Sequence, residues 1–577
     1  MSNQINNDPR TIRLVGGIRL RPEPFGGLVF DGRRGYTLEV DKNVLRFLHL
    51  LENGPQRITD VLIHFDQKNF GNDRFIHSFN EALRQLLDLK IIEFDNEMIL
   101  PTPTMDDQAH QPELKFPWLS APETIHWAVT YRCDAHCPDC YAERLSHSQK
   151  ELDTTEALGL IDKLADWKVL QLAIGGGEPF ARRDLSQLVR YADQRGLIVH
   201  LTTAKRNTPT DILDQTLLAI RHLQIGIWNE ALLNFHSGRY KEQLENFFLK
   251  AQKYKIVPGA NVILNKTAVE NLIPLVGMLS EIGFERIIFL RYKPPKSIKR
   301  WKAEVPEPAQ LKELHHIFNR ILTDNPHLNI RVDCALSFVQ RHLSQKISAE
   351  CGLKGCVAAD RIMAIAADGS VFPCSQLVHD QAYGGNIMEV DPQKLWNESN
   401  ALRKYRSFRT QKTFKNSLCG QCLAKKSCGG CRIFAMDGMG GDPGCPEPLL
   451  PPREQLGKAG RRLDVIKYLE QHQNISVGEY MNRYHVSQKT AIKELNACEG
   501  AVRRTEKPAR KKTDVYEYTG KNIIESIQDL IGYTDGGFPY SSYEEIAQSI
   551  NHPSYTQNYP QWMIKEKGNN HENIQCT

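Results

Sequence analysis

The sequence predicts an α/β protein built around a partial (β/α)6 barrel, with smaller domains before and after it. Three observations support this prediction. Strands and helices alternate through residues 121–325, a cysteine- and glycine-rich segment follows at 330–450, and separate compact patterns occupy 11–100 and 458–520. Alternation of this kind favours a parallel sheet covered by helices. Six units indicate an open barrel, in which chemistry lies at the carboxyl ends of the strands.

The composition narrows the class of protein. The 577 residues are 41% hydrophobic and 24% charged, which excludes collagen-like and wholly disordered chains. No apolar run is long enough to cross a bilayer, and residues 1–10 lack the apolar stretch of a secretory signal. We therefore expect a soluble, cytoplasmic protein. The net charge is +5, and residues 503–512 alone hold six bases and one acid, so an anionic partner is expected there.

Residues 11–100 have the pattern of a small α+β, winged-helix-like domain. Glycine turns separate three predicted strands, and Asp41 is predicted to cap the helix that follows. That helix would bury Val44, Leu45, Leu48 and Leu51, and two more helices are predicted after it. The strands are placed at 18–21, 28–30 and 36–40, and the later helices at 59–65 and 76–87. Residues 101–120 are rich in proline and are interpreted as a linker.

The barrel prediction rests on six strand–helix units. The predicted strands are 125–130, 170–174, 197–202, 224–228, 259–264 and 286–290. The predicted helices are 154–167, 184–195, 211–220, 240–255, 268–282 and 308–323. Residues 330–450 show little periodic structure, so metal clusters would have to order them.

Three of the fourteen cysteines directly follow the first barrel strand. Clustered cysteines in a chain without an export signal are more often metal ligands than disulfides. Cys133, Cys137 and Cys140, here called the triplet, have the spacing Cys-x3-Cys-x2-Cys. Three thiolates leave a tetrahedral zinc incomplete, but they can hold three irons of a 4Fe–4S cluster and leave one iron open to a small molecule. A zinc knuckle with a distant fourth ligand is the alternative.

The triplet, together with Gly176-Gly177-Glu178-Pro179 after the second strand, resembles the radical S-adenosylmethionine (radical SAM) enzymes, whose barrels are TIM-like. The resemblance implies that the open iron chelates SAM. The reduced cluster then cleaves the sulfonium to methionine and a 5′-deoxyadenosyl radical, which abstracts hydrogen from the substrate. Cys133, Cys137 and Cys140 would be both metal ligands and catalytic residues. A flavodoxin or ferredoxin is the expected electron donor.

The same resemblance implies contacts to SAM from the strand ends. Gly176 and Gly177 would let the backbone approach the methionine ammonium, and Glu178 would accept a hydrogen bond from it. The position before the third cysteine is usually aromatic, but here it is Asp139, and Tyr141 is the candidate substitute. Contacts are also expected after later strands, although each of these residues could equally be an ordinary polar loop residue: Thr203, Asn229, Asn265 and Arg291.

A second cysteine group resembles the SPASM extension of radical SAM peptide-modifying enzymes. Its members are Cys351, Cys356, Cys374, Cys419, Cys422, Cys428, Cys431 and Cys445. The gap between Cys428 and Cys431 is one residue shorter than is usual there. The resemblance implies two auxiliary 4Fe–4S clusters, the first held by Cys351, Cys356, Cys374 and Cys431 and the second by Cys419, Cys422, Cys428 and Cys445. Two structural zinc ribbons are the alternative.

Three cysteines are left over by this assignment: Cys334, Cys498 and Cys576. Cys334 precedes the second cysteine group and could be a spare ligand. A buried thiol is the preferred interpretation, since free cysteine usually packs as a small hydrophobic residue.

The order of strands and helices in residues 11–100 resembles the peptide-binding domain of ribosomal-peptide modification, whose type member is the small chaperone of pyrroloquinoline quinone biosynthesis. The edge of its sheet can accept a leader peptide as an added strand. A winged-helix domain that packs on the barrel is the alternative. The preferred hypothesis is a maturase of a precursor peptide, with maturation of a protein cofactor or a tetrapyrrole as the second.

Residues 458–520 resemble the winged helix-turn-helix of sugar-operon repressors. Ser487 would cap a recognition helix, and the basic run 503–512 would contact phosphates from the wing. DNA is therefore a possible partner, and docking on a protein is the alternative. This domain supports a third hypothesis from another class, an iron–sulfur DNA-binding regulator. Residues 521–577 form a weakly patterned tail.

Overall fold

The computed structural model describes most of the chain in two compact units, one within Met1–Ser120 and one within Ala121–Ile550. The described residues are 10–65, 73–95, 118–134, 137, 140, 150–204, 215–227, 238–294, 298–340, 348–349, 355–435, 438–442, 444–446, 448–498, 502–504, 515–519, 532–533 and 539–540.

The first unit contains two small antiparallel sheets. Its strands are β1 (Thr11–Leu14), β2 (Ile18–Glu23), β3 (Gly26–Asp31), β4 (Tyr36–Asp41), β5 (Gln56–Arg57) and β6 (Ile92–Asp95). One sheet has the order β2-β3-β4 and contains the three predicted strands. The other has the order β5-β1-β6 and was not predicted, because strands of two to four residues carry too little alternation to recognise.

Three helices complete the first unit: Lys42–Glu52, Ile58–Phe65 and Asp73–Asp88. The predicted cap is confirmed, because the Asp41 side chain accepts hydrogen bonds from the backbone N–H groups of Asn43 at 2.8 Å and Val44 at 2.9 Å. The helix after it buries the four predicted apolar residues in a core shared with β3 and β4. The predicted linker lies outside the described residues except for 118–120.

The second unit is organised by one ten-stranded sheet. Its strands are β7 (Thr124–Thr130), β8 (Gln171–Gly176), β9 (Ile198–Thr203), β10 (His222–Ile227), β11 (Val257–Leu264), β12 (Arg286–Arg291), β13 (Asn329–Val332), β14 (Ser348–Ala349), β15 (Ile362–Ile365) and β16 (Val371–Phe372). The order is β14-β13-β12-β11-β10-β9-β8-β7-β15-β16. The strands β7 to β12 are parallel neighbours in sequence order, and they match the six predicted strands within two residues at each end.

Helices between the strands bury their apolar faces and so align the strand ends. They are Thr154–Asp166, Leu185–Gln194, Gly238–Lys253, Lys266–Glu270, Leu272–Ile282, Ile298–Glu304, Pro308–Asp324 and Ser337–Gln340. The helix predicted at 268–282 is in fact two helices, divided at Asn271. Of the one predicted at 211–220, residues 211–214 lie outside the described residues and residues 215–217 are helical.

The sheet continues beyond residue 325. Strand β13 pairs with β12, and β15 pairs in parallel with β7 on the other side. Four short helices follow at Pro392–Glu398, Asn400–Arg406, Lys412–Lys415 and Leu418–Gln421. An aromatic core accompanies them, since Trp396, Tyr405, Phe408 and Phe414 are all buried. Apolar packing therefore contributes to the order of this region together with its cysteines.

The end of the second unit contains three further helices, Lys458–His472, Val477–Tyr484 and Gln488–Asn496. Strands β17 (Asn474–Ser476), β18 (Val502–Arg504) and β19 (Val515–Tyr518) form an antiparallel sheet of order β17-β19-β18, and β20 (Gly532–Tyr533) pairs with β21 (Pro539–Tyr540). The predicted cap is confirmed, since the Ser487 hydroxyl accepts from the Thr490 N–H at 3.2 Å. Residues 505–514 lie outside the described part. No described helix is both long enough and apolar enough to cross a membrane.

Candidate iron–sulfur and S-adenosylmethionine site

The triplet lies at the carboxyl end of β7, where the fold predicts the chemistry. Cys133 is exposed, whereas Cys137 and Cys140 are half-buried. The Cys140 N–H donates to the Cys137 carbonyl at 3.1 Å, which forms a tight turn. Burial, followed by the nearby thiols of Cys140 and Cys133, raises the pKa of Cys137. The structure therefore brings the three predicted cysteines together.

The glycine run after β8 packs directly on the chain that leads into the triplet. The Gly177 N–H donates to the Thr130 carbonyl at 2.8 Å, and the Glu178 N–H donates to the Arg132 carbonyl at 2.9 Å. Gly176 has φ +112°, and a Cβ there would lie 2.4 Å from the Thr130 oxygen. A Cβ at Gly177 would lie 2.5 Å from the Arg132 oxygen. Both glycines are thus required by backbone packing beside the triplet.

Glu178 joins the ends of β8 and β9. Its side chain is fully buried. It accepts hydrogen bonds from the Thr203 hydroxyl at 2.8 Å, the Ala204 N–H at 2.9 Å and the Phe180 N–H at 3.1 Å. The structure therefore brings two predicted site residues, Glu178 and Thr203, into direct contact. In this arrangement the carboxylate holds two strand ends in register.

The other predicted SAM contacts have different surroundings. Asn265 is buried and caps the helix Lys266–Glu270 by accepting from the Ala268 N–H at 2.9 Å. Arg291 is buried and its guanidinium donates to Asp442 at 2.5 Å. The structure does not bring either residue to the triplet by any hydrogen bond it describes. Tyr141 and Asn229 lie outside the described residues.

Two charged residues that the sequence did not single out hold the start of the triplet loop. Glu151 accepts from the Thr130 hydroxyl at 2.7 Å and from the Tyr131 N–H at 3.1 Å. The buried guanidinium of Arg182 donates to the Val129 carbonyl at 2.8 Å and to the Leu152 carbonyl at 2.9 Å. These contacts with the triplet loop carry no local sequence signal, because each joins residues that are 20 or more positions apart.

Four members of the second cysteine group line one small cavity. They are Cys419, Cys422, Cys428 and Cys445, the set expected to hold the second auxiliary cluster. Burial, followed by Asp442, Cys445 and Cys428, raises the pKa of Cys419. The Asp442 N–H also donates to the Cys419 sulfur at 3.3 Å.

Three other members of the second cysteine group lie together: Cys356, Cys374 and Cys431. Burial raises the pKa of Cys374 to about 12, with a further contribution from Cys356. Burial also raises the pKa of Cys431, and Cys334 and Cys356 add to this shift. Cys351, expected in this set, lies outside the described residues.

The short gap between Cys428 and Cys431 is explained by two glycines. Gly429 and Gly430 both have φ +72°, a left-handed conformation that favours glycine. The buried guanidinium of Arg432 donates to the Gly429 carbonyl at 2.6 Å and anchors the turn. The turn places Cys428 at the cavity and Cys431 beside Cys356.

The chemistry of these donor sets suits iron–sulfur clusters. Buried thiols with raised pKa values ionise only when a cation compensates the thiolate charge, and iron provides that compensation. Each set contributes several thiolates from a compact loop, as a multi-iron cluster requires. In the part of the chain that the structure describes, no group of three or more His, Cys, Asp or Glu side chains is arranged to hold a metal ion.

The interior of the barrel is polar, which sequence reasoning missed. The rings of His200 and His222 stack at 4.9 Å, and an Arg286 guanidinium nitrogen lies 3.0 Å from His222 Nδ1. Burial, with nearby arginines, lowers the pKa of His200 to about 3; burial, His200 and Arg286 lower that of His222 to about 2. Both rings are therefore neutral at pH 7. Polar and apolar residues alternate visibly along these strands, but the polar residues lie on several strands, and only the folded sheet brings them together.

Two segments match known domain families. Residues 124–220 match the 4Fe-4S single cluster domain, and residues 356–423 match SPASM, an iron–sulfur cluster-binding domain. The first segment contains the triplet and the glycine run. The second begins at Cys356 and contains Cys374, Cys419 and Cys422.

The chain matches two relatives over most of their length. An AdoMet-dependent heme synthase of Methanosarcina barkeri is 25% identical over 334 residues, which is 55% of this chain and 93% of that protein. A PqqA peptide cyclase of Xanthomonas campestris is 24% identical over 337 residues, which is 57% of this chain and 86% of the cyclase.

A solved structure shares the fold. SuiB of Streptococcus suis, determined with S-adenosylmethionine bound, aligns with a TM-score of 0.55 at 22% identity over 73% of this chain and 96% of SuiB. The same protein bound to its precursor peptide SuiA aligns with a TM-score of 0.53 at 20% identity.

The cluster domains, the fold and the relatives define the class: the chain is related to the radical SAM enzymes that carry a SPASM domain, and these relatives indicate an enzyme. Radical SAM peptide maturases are among its homologues. The cofactors that belong to these domains are 4Fe–4S clusters and SAM.

Proposed function

We propose that this protein cleaves SAM reductively and uses the resulting 5′-deoxyadenosyl radical to modify a ribosomally made precursor peptide by crosslinking or oxidation. The observation that carries the proposal is the convergence of Cys133, Cys137 and Cys140 at the end of β7 against the glycine run of β8. The PqqA peptide cyclase and SuiB, by their names and bound molecules, support a peptide substrate.

Each group at the barrel mouth has a stated role in this proposal. The triplet would hold a 4Fe–4S cluster, which supplies one electron to the sulfonium of SAM when bound. Gly176 and Gly177 keep β8 close to the triplet loop, and Glu178 fixes the neighbouring strand end through Thr203. Placement inside a barrel would shield a reactive radical from water.

The second cysteine group would hold two auxiliary clusters. Four thiols around one cavity support the second of these, with Cys419, Cys422, Cys428 and Cys445 as its ligands. Cys356, Cys374 and Cys431 support the first. Auxiliary clusters offer an exit for an electron, which suits oxidation of a substrate radical, and a flavodoxin or ferredoxin would deliver electrons to the triplet.

The first unit would recognise the leader of the peptide by adding it as a strand. In the β2-β3-β4 sheet, β2 and β4 are the edges. Strand β2 contains Pro22, which has no N–H to donate, whereas β4 (Tyr36–Asp41) contains no proline. Strand β4 is therefore the better edge for β-augmentation, with the helix Lys42–Glu52 following directly from it.

The last domain would be a winged helix-turn-helix. Its helix Gln488–Asn496 exposes Lys489 and Lys493. These cations are the observation that favours a second candidate function, an iron–sulfur regulator that binds DNA. Docking on protein is supported by a different contact, in which the Gly460 N–H donates to Gln421 in the cysteine-rich region at 3.1 Å.

The heme synthase relative favours a third candidate, a radical SAM maturase of a tetrapyrrole or protein cofactor. Peptide modification is preferred because the first unit supplies a sheet edge for which a tetrapyrrole has no use.

One anaerobic experiment tests the proposal. After reconstitution, we expect about twelve irons per chain for three cubane clusters. Formation of 5′-deoxyadenosine should require the triplet, and product should form only with a peptide that carries its leader. Combined Cys133→Ala, Cys137→Ala and Cys140→Ala substitutions that leave 5′-deoxyadenosine production intact would refute the assignment. Binding to an operator without SAM cleavage would favour the regulator, and cleavage that responds only to a porphyrin would favour the tetrapyrrole enzyme.

A further inference from the structure

Cys334 occupies a fixed position between the barrel and the cysteine-rich region. It begins a short 3-10 turn, Cys334–Leu336, directly after β13. Asp333 caps this turn by accepting from the Ala335 N–H at 3.1 Å, and the Ser337 hydroxyl donates to the Cys334 carbonyl at 2.7 Å. The backbone that carries the thiol is therefore held at both ends.

One buried guanidinium connects this turn to Cys431. Arg291 donates to the Ala335 carbonyl at 3.3 Å and to the Asp442 carboxylate at 2.5 Å. The same Asp442 oxygen accepts from the Cys431 N–H at 3.0 Å. The Arg291 N–H also donates to Asp333 at 3.3 Å. Residues on either side of Cys334 are thus tied through Arg291 and Asp442 to the backbone of Cys431.

A second cation lies beside the same thiols. The Lys293 ammonium forms an ion pair with Asp333, and both side chains are largely buried. Lys293 also interacts electrostatically with Cys431 and with Cys334. Two thiols and two cations therefore lie close together.

The remaining thiols of the set reach the same place. Cys431 interacts with both Cys334 and Cys356, and Cys374 interacts with both Cys356 and Cys334. Cys334 is therefore a neighbour of two members of a three-thiol set. A 4Fe–4S cluster with full protein ligation takes four thiolates, and Cys334 would complete a set of four with Cys356, Cys374 and Cys431.

We propose that Cys334 is the fourth ligand of the first auxiliary cluster, together with Cys356, Cys374 and Cys431. This inference rests on the proposed function, because it assumes that the auxiliary clusters exist. The Cys334 thiol loses its proton and its sulfur binds one iron, with no change in oxidation state. Cys351, which the SPASM resemblance would assign to this position, is then not a ligand.

The test uses the full chain with the triplet removed by Cys133→Ala, Cys137→Ala and Cys140→Ala, so that only auxiliary clusters are counted. This parent should bind about eight irons. Cys334→Ala, Cys334→Ser and Cys351→Ala are then added to it one at a time. Cys498→Ala is the matched control, because Cys498 is a buried thiol whose sulfur donates to the Glu494 carbonyl at 3.2 Å.

The readouts are iron and sulfide content, the electron paramagnetic resonance (EPR) spectrum of the reduced protein, and iodoacetamide labelling of each cysteine. We expect Cys334→Ala to change one of the two cluster signals, and Cys334→Ser to restore its intensity with a shifted spectrum, because a serine oxygen can replace the sulfur. Cys351→Ala and Cys498→Ala should match the parent. In the parent itself, Cys334 should resist labelling until a chelator removes the iron, whereas labelling of Cys498 should not respond to the chelator.

The inference is overturned if Cys334→Ala and Cys334→Ser both match the parent, if Cys351→Ala alters the signal and Cys334→Ala does not, or if Cys334 is labelled while the clusters are intact. A parent that binds no iron would instead refute the auxiliary clusters on which this inference rests, whereas the formation of 5′-deoxyadenosine by the unsubstituted chain tests the proposed function separately. The two failures are therefore distinguishable.

Discussion

The triplet and the second cysteine group are held in opposite ways. The triplet is partly exposed, and backbone hydrogen bonds to a glycine run support it. The described members of the second group are buried or half-buried, and charged side chains such as Arg291 and Asp442 connect them. An open loop suits a cluster that must accept a small molecule, and a buried charged setting suits clusters fully ligated by protein. The two sites can therefore be perturbed separately, the triplet through backbone packing and the second cysteine group through charged side chains.

Loss of the Arg291 guanidinium should have the largest effect. Arg291→Leu leaves Asp442 buried without its cation, and removal of one partner of a buried pair costs about 3–5 kcal/mol. We expect iron to be lost from the second cysteine group and retained by the triplet, as measured by iron content and urea unfolding. Lys241→Met is the control, because its pair with Glu281 is exposed and should contribute little to stability. Equal effects of the two substitutions would contradict the role of Arg291.

A substitution in the glycine run should affect the triplet and leave the second cysteine group unchanged. Gly177→Ala places a Cβ 2.5 Å from the Arg132 oxygen, so the loop that carries the triplet must move. A displacement of about 1 Å lowers rates by about a hundred-fold, which we expect for SAM cleavage, with the auxiliary EPR signals unchanged. At Gly175 a Cβ meets nothing within 4 Å, so Gly175→Ala should keep the rate of SAM cleavage. An equal loss of SAM cleavage in both variants would show that the close backbone contact is not the cause.

Substitutions at Glu178 distinguish two roles for its side chain, the positioning of strand ends and a direct contact with SAM. Glu178→Gln turns an amide toward buried N–H donors and should cost about 1–3 kcal/mol of unfolding free energy. Thr203→Val removes one of these hydrogen bonds and should cost about 1 kcal/mol, and Thr203→Ser should restore it.

The affinity for SAM, measured by equilibrium dialysis, decides between the two roles of Glu178. If Glu178 acts only by joining β8 to β9, both destabilising variants should weaken SAM binding in proportion to their loss of stability. A much larger loss of binding with Glu178→Gln alone would instead indicate a direct contact.

The smallest effect concerns the stacked histidines inside the barrel. Folding lowers the pKa of His200 to about 3 and that of His222 to about 2, so the unfolded chain binds more protons below about pH 6.5. Their stabilisation is complete above that pH and is lost as the pH falls toward the folded values. Between pH 7.5 and 6.0 each should contribute a loss of about 1 kcal/mol. His222→Gln should reduce this loss in urea unfolding, and an unchanged pH dependence would contradict the shift.

The barrel strands could be predicted because each is a buried run of apolar residues next to a helical pattern. The triplet and the glycine run could be predicted because each signal is contained in a few neighbouring residues. Strands β13 and β15 could not, since four residues give little periodicity and their partners are far along the chain. The contact of Arg291 with Asp442 spans 151 positions, and no local pattern announces it.

The assignment of Cys334 shows the same limit. Its spacing from the second cysteine group is unlike any motif, so the sequence favoured a buried thiol. Its neighbours are set by β13 and by Arg291, which are arranged only when the sheet forms. Spacing therefore identifies ligands within a loop, and three-dimensional packing is needed to identify those that join from elsewhere.

The pairing of β15 with β7 has a consequence for anyone who wishes to dissect this enzyme. Residues Ile362 to Ile365 align with Thr124 to Trp127, on the strand whose end carries the triplet. A protein that ends before residue 362 would lack β15, the neighbour of β7 on one side. The amide and carbonyl groups along that edge of β7 would then be free to pair with other chains. We expect such shortened proteins to aggregate, so exchange of cysteine-rich modules between related enzymes should carry this strand along with the module.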